Sequence, residues 1–227
     1  MTHFMDKKIK IIIGLGNSGE EYQNTYHNVG RLFVEHWQKI PPPAVTPFYK
    51  GRINPSPLRV LPFTKGGEKT RSIPAVATEG FMNQSGDSVK KILKEKGLKI
   101  EDALIVHDDS DIHIGEYKIS RNRGAAGHKG VLHVMAVFGT QDFTRLRIGI
   151  RPKDKSLTAS GPLPLEKGEQ SLKADVSTEA HRAKADEFVL KNISAANMKK
   201  LEGVFGEAAL QIENENLKIK NSGIAPQ

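Results

Sequence analysis

Residues 9–15 read I-K-I-I-I-G-L, and residues 103–107 read A-L-I-V-H. Both are short apolar runs rich in β-branched side chains, and glycine ends the first. Such runs predict strands buried on both faces, as in a parallel sheet. Working outward, residues 29–40 set Val29, Leu32, Phe33, Trp37 and Ile40 on one helical stripe, and Pro41, Pro42 and Pro43 stop it. Residues 74–78 predict another short strand. Residues 85–97 predict a helix with Val89, Ile92 and Leu93 inward, Ser85 as its cap, Asp87 in its first turn and Gly97 as its stop. Residues 116–120 predict a strand, and residues 129–138 a helix with Val131, Leu132, Met135 and Phe138 inward. Residues 144–150 alternate, with Leu146, Ile148 and Ile150 on one face and Arg145 and Arg147 on the other. Residues 194–216 predict a last long helix with Met198, Leu201, Phe205, Ala208 and Ile212 inward. Strands alternating with helices predict an α/β fold: a single domain with a mixed, largely parallel β-sheet surrounded by helices. In such folds ligands sit beyond the carboxyl ends of the strands.

The 227 residues suit one domain over 1–227 with a sizeable core. Three segments depart from the pattern: a variable segment at 41–72 with only residues 58–63 strand-like, a flexible polar insertion at 152–185, and a polar tail at 217–227. The net charge of +8 attracts polyanions such as nucleic acid, phospholipid headgroups or acidic proteins; solubility alone is the other explanation. The absence of cysteine rules out disulfides, a thiolate nucleophile and cysteine-ligated zinc. No apolar run approaches the roughly 20 residues of a membrane span. Residues 1–10 lead straight into a strand without an apolar leader, so no secretory signal is expected.

Gly14, Gly16 and Gly19 spell G-x-G-x-x-G after a strand. A dinucleotide site needs a helix to open inside that motif, so that its N-terminus meets the pyrophosphate. Residues 20–28, E-E-Y-Q-N-T-Y-H-N, lack the apolar spacing of such a helix and bring two acids close to any phosphate. A tight turn that presents Asn17 is the better reading, with a purely structural turn as the alternative. His27 lies in the polar stretch after the first strand, and Asp108 just after the strand at 103–107. Both can project into one crevice. A carboxylate on one ring nitrogen fixes the tautomer and raises the basicity of the other, which then takes a proton from water. The alternatives are a solvated or capping histidine and a capping aspartate. A metal at H-D-D-S-D, residues 107–111, lacks a further ligand set, and the calcium-loop glycine falls one residue late at Gly115. Asn83, in F-M-N-Q-S-G, offers an amide suited to a peptide backbone or a developing oxyanion, or else simply ends a turn.

Together, G-L-G-N-S-G-E-E-Y at 14–22, H-N-V-G at 27–30, F-M-N-Q-S-G at 81–86, H-D-D-S-D at 107–111, G-A-A-G-H-K-G at 124–130 and R-L-R-I-G-I at 145–150 resemble the bacterial-type peptidyl-tRNA hydrolase family. The resemblance implies hydrolysis of the ester between a peptide and the 3′ end of its tRNA. It implies that His27 activates the water, Asp108 orients His27, and Asn17 and Asn83 position the peptide and the attacked carbonyl. Met82 would line the crevice and Tyr22 would meet the tRNA 3′ end. No metal or organic cofactor is expected. The partner expected is tRNA, with no membrane, for a monomer in the cytosol or the mitochondrial matrix. Lys118, Arg121, Arg123, Arg145 and Arg147 are candidate phosphate contacts, or else a solvated basic face.

Two residues depart from the family pattern. Lys129 stands where the family carries Asn, at the substrate, and Ser18 replaces a usual Pro, which is expected to loosen the turn. Lys129 and the insertion leave an alternative: a non-catalytic RNA-binding member of the same fold.

Overall fold

The computed structural model describes residues 7–39, 73–152 and 188–221. The variable segment at 41–72, Ile40 of the first stripe, nearly all of the 152–185 insertion and the end of the tail lie outside these residues. Ile11–Gly14 (β1) pairs in parallel with Ala75–Ala77 (β2) on one side and Ala103–His113 (β3) on the other. Tyr117–Arg121 (β4) runs antiparallel to Thr144–Arg151 (β5), which pairs in parallel with β3. The strand order is β2-β1-β3-β5-β4. The helices are Val29–Lys39 (α1), Ser85–Lys96 (α2), Lys129–Phe138 (α3) and Ala195–Asn221 (α4).

The period of two along each strand sends side chains into two cores. Ile12, Leu104, Val106, Leu146 and Ile148 meet Val29, Phe33 and Trp37 of α1 and Leu201, Phe205 and Ile212 of α4. Ile11, Ile13, Ala103 and Ile105 meet Val89 and Leu93 of α2 and Val131 and Val134 of α3. Truncating one large buried ring, such as Phe33, costs about 3–5 kcal/mol, a large share of the ~5–15 kcal/mol that holds a domain.

The N-terminal turn of α1 presses unusually close to the sheet. A Cβ on Gly30 would collide with the carbonyl oxygens of Val106 and Leu15, and one on Gly14 would collide with the backbone of Gly30. These glycines bring the residues just before α1, His27 included, down onto the middle of β3. At the far end of the sheet Asn216 of α4 grips the backbone of Ile9: its Nδ2 donates to the Ile9 carbonyl (2.8 Å) and its Oδ1 accepts the Ile9 N–H (2.9 Å).

Four expectations are corrected. β3 does not end at His107 but runs to His113, with Asp108 and Asp109 inside it. The strand tolerates them because both carboxylates are paired, and its ladder shifts register between Asp109 and His113. α4 extends past Leu217 to Asn221, into the expected tail. Leu132 is 49% exposed, and Val134 takes the inward place instead. Ser85 is the first residue of α2 rather than its cap: its hydroxyl is buried and donates to the Met82 carbonyl (2.7 Å).

Candidate active site

Asp108 is 2% exposed and sits between two histidines. His27, in the turn Tyr26–Asn28, places Nδ1 at 3.0 and 3.1 Å from the two carboxylate oxygens. His128, the cap of α3, places Nε2 2.9 Å from Asp108 Oδ1. Burial raises the Asp108 pKa, but the charges and hydrogen bonds of His27 and His128 outweigh it and hold the carboxyl well below its usual range. Asp108 is therefore an ionised acceptor, and both facing nitrogens carry protons. In its neutral form His27 therefore has its lone pair on Nε2, the state of a general base.

His128 is used the other way round. Its Nδ1 accepts the Val131 N–H (3.2 Å), so its proton lies on Nε2 and goes to Asp108. Both ring nitrogens are thus committed. Behind it, His107 is 1% exposed, and its Nδ1 donates to the Asp108 carbonyl oxygen (2.6 Å). Burial, then the neighbouring His128, lowers the His107 pKa well below normal, so this ring is neutral. Its edge meets the His128 ring at 4.7 Å.

His27, Asp108 and His128 bring their ligating atoms close enough to hold one cation. The tautomer opposes it. A histidine that ligates through Nε2 normally donates an Nδ1 proton to a neighbour, whereas His128 Nδ1 faces a backbone donor. The donor set fits a hydrogen-bonded cluster better than a metal cage.

A second strip of the crevice begins one residue from His27. Asn28 bonds the backbone of Asn17 twice, accepting its N–H (2.7 Å) and donating to its carbonyl (3.0 Å). Asn17 Oδ1 accepts the Met82 N–H (2.7 Å), which puts the turn Met82–Gln84 beside it. Met82 is buried and Asn83 exposed on that turn. The turn at Gly14–Gly19 therefore presents Asn17, and the three-residue helix after it, Glu20–Tyr22, is not the helix of a dinucleotide site. Ser18 does not loosen this turn: it donates its N–H to the Gly80 carbonyl (2.8 Å) and accepts the Gly80 N–H on its hydroxyl (3.0 Å). Tyr22 is half-buried at the edge, and its carbonyl accepts the Thr25 hydroxyl (2.9 Å). Lys129 is exposed as the first residue of α3, next to His128.

The basic candidates divide. Lys118 and Arg147 are directly opposite on β4 and β5, and Lys118 and Arg123 are exposed. Arg147 also pairs with Asp109 (2.6 Å). Arg121 is bound through two nitrogens to Asp142 (2.7 and 3.0 Å). Arg145 is corrected: it is 1% exposed and donates to the carbonyls of Arg123 and Gly124, so no phosphate reaches it. Burial, then the nearby Arg147, lowers its pKa to about 10, and at neutral pH it remains a cation. It braces the loop that leads to His128.

His128, Asn28 and the bracing role of Arg145 were not assigned from sequence. All three lie in the segments that carry the family resemblance, and only their partners reveal what they do.

A family model described as peptidyl-tRNA hydrolase matches residues 11–161. A peptidyl-tRNA hydrolase of Lactobacillus johnsonii is 31% identical over 182 residues, covering 80% of this chain and 93% of the relative. One of Halalkalibacterium halodurans is 33% identical over 180 residues, covering 77% and 92%. The crystal structure of the Acinetobacter baumannii peptidyl-tRNA hydrolase superposes with a TM-score of 0.62 at 22% identity, over 94% of this chain and 91% of that one, a likeness of fold.

Proposed function

The chain belongs to the peptidyl-tRNA hydrolase family, and on that premise we propose that it cleaves the ester joining a peptide to the 3′ end of tRNA with a water activated by His27. The observation that carries the mechanism is the His27–Asp108 bond, which consumes Nδ1 and leaves Nε2 as the basic nitrogen.

His27 Nε2 takes a proton from a water whose oxygen attacks the ester carbonyl carbon. The carbonyl oxygen gains the negative charge, and the amides of Asn17 and Asn83 donate to it or to the adjacent peptide group. Asn17 Oδ1 already accepts from Met82, so Asn17 offers its NH₂ to the substrate. Collapse of the adduct expels the ribose oxygen, which recovers the proton from the His27 imidazolium. Asp108 stabilises that imidazolium. An ester leaves readily, so no covalent nucleophile is needed.

Lys118, Arg123 and Arg147 supply the phosphate contacts and Tyr22 a stacking surface for a terminal base. Lys129 lies beside the reacting ester. No helix among the described residues is long and apolar enough to cross a membrane, and tRNA is the partner.

The test is single-turnover release of an N-acetylated amino acid from its tRNA. Release by the wild type is expected. Salt-dependent tRNA binding without release would leave only the RNA-binding reading.

A further inference from the structure

One buried side chain of the crevice bonds the backbone twice yet touches neither the water nor the ester. Asn28 is 1% exposed and directly follows His27. Its own N–H donates to Thr25 (3.0 Å), which fixes the turn that carries both residues. Its amide then closes a two-bond ring on the peptide of Asn17, as one strand would on another. A Cβ on Gly16 would lie 2.8 Å from Asn28 Oδ1 and 2.5 Å from the Arg31 side chain, so glycine at 16 leaves the room that this approach needs.

The pairing fixes more than the backbone. With Asn17 held, its Oδ1 reaches the Met82 N–H, and that bond decides which end of the Asn17 amide faces the crevice. If the Asn17 backbone moved by a few tenths of an ångström, the bond to Met82 would lengthen and the amide could turn its oxygen towards the substrate. A carbonyl oxygen facing a developing oxyanion repels it, whereas an NH₂ stabilises it.

We propose that Asn28 is a positioning residue: it sets the spacing between the His27 base and the Asn17 donor and holds Asn17 with its NH₂ towards the attacked carbonyl. The inference rests on the hydrolase reading above. One asparagine thereby ties the proton acceptor and the charge stabiliser into a single rigid unit.

The test is a double-mutant cycle of Asn28→Ala and Asn17→Ala on N-acetyl-aminoacyl-tRNA, with kcat and KM measured separately and thermal melting alongside. Asn17→Ala is expected to lower kcat by about 100-fold, the scale of losing one donor to a developing oxyanion. Asn28→Ala is expected to lower kcat by at least about tenfold, with KM changed by less than about threefold. In the Asn17→Ala background, Asn28→Ala should cost less than about twofold more, because it acts through an amide no longer there. The same fold loss in both backgrounds, or an unchanged kcat in Asn28→Ala, overturns the proposal. Should Asn28→Ala not fold, Asn28→Asp takes its place: it keeps the shape and the acceptor and loses the donor. A wild type without turnover sinks the hydrolase reading and this inference with it, whereas an active wild type with an additive cycle sinks this inference alone.

Discussion

Two turns reach Asp108 from opposite sides, and each brings a histidine. On the α1 side His27 gives Nδ1 to the carboxylate, which directs its basic lone pair to Nε2. On the α3 side His128 gives Nε2 to the same carboxylate and spends Nδ1 on the Val131 N–H. The residue type and the partner are the same, and the roles are opposite. What separates them is whether the ring also caps a helix. A capping histidine cannot move a proton without giving up its cap, so His128 can only hold Asp108 still and ionised. The comparison teaches that a histidine's function follows from where its second nitrogen is committed.

The sharpest way to break the comparison is to delete each ring in turn. His27→Ala should lower kcat by about 1,000-fold or more while KM stays close to wild type, as read by single-turnover release, with a stability loss of about 1–3 kcal/mol for the donor removed from the buried carboxylate. His128→Ala should lower kcat only about tenfold, yet destabilise the fold by about 1–3 kcal/mol, because it removes a cap and a donor to a buried carboxylate. Denaturant unfolding measures the second effect. If His128→Ala were as inactive as His27→Ala with unchanged stability, the two histidines would share the chemistry.

A smaller effect sharpens the comparison by way of His107, the ring behind His128. Its folded pKa is lowered, and its unfolded value is near 6.5. The unfolded chain therefore binds this proton first as pH falls. The stability that His107 contributes as a neutral ring is complete above pH 6.5 and is lost progressively below it, down to the folded pKa. The slope of unfolding free energy between about pH 6.5 and 5 should flatten in His107→Asn. An unchanged slope would assign the acid sensitivity to other groups.

The smallest effect expected is at Lys129. It is exposed on the first turn of α3, so Lys129→Asn should change kcat/KM by less than about fivefold and weaken the salt dependence of tRNA binding. A rise of a hundredfold would mean that this lysine opposes the imidazolium of His27.

The fold was legible because each strand and helix carries its own apolar period. β1, β2, α1 and α3 fall within a few residues of their predicted bounds. Where reading failed, tertiary pairing had overridden local pattern. Asp108 and Asp109 look like the end of a strand, since unpaired acids do not belong in one, and only His27, His128 and Arg147 make them acceptable inside β3. The alternation in β5 separated Arg145 from Leu146 correctly. Alternation alone cannot tell a solvent face from a second covered face, and the loop at 123–124 covers Arg145. The pairing of His27 with Asp108 was legible because both stand at one edge of the crevice, although Asp108 lies inside β3 and not beyond its end. The place of His128 was not, because a histidine before a helix reads as a loop residue until its two partners are seen.

The clasp between Asn216 and Ile9 has a consequence during synthesis. The two residues are 207 positions apart. At a translation rate of about 5–20 residues per second, Ile9 leaves the ribosome roughly 10–40 s before its partner. Throughout that interval the face of the sheet that α4 will cover, with Leu104, Leu146 and Ile148, lacks that helix. The nascent chain is therefore most exposed to aggregation and to chaperone capture late in its own translation, and the last helix to emerge ends that exposure.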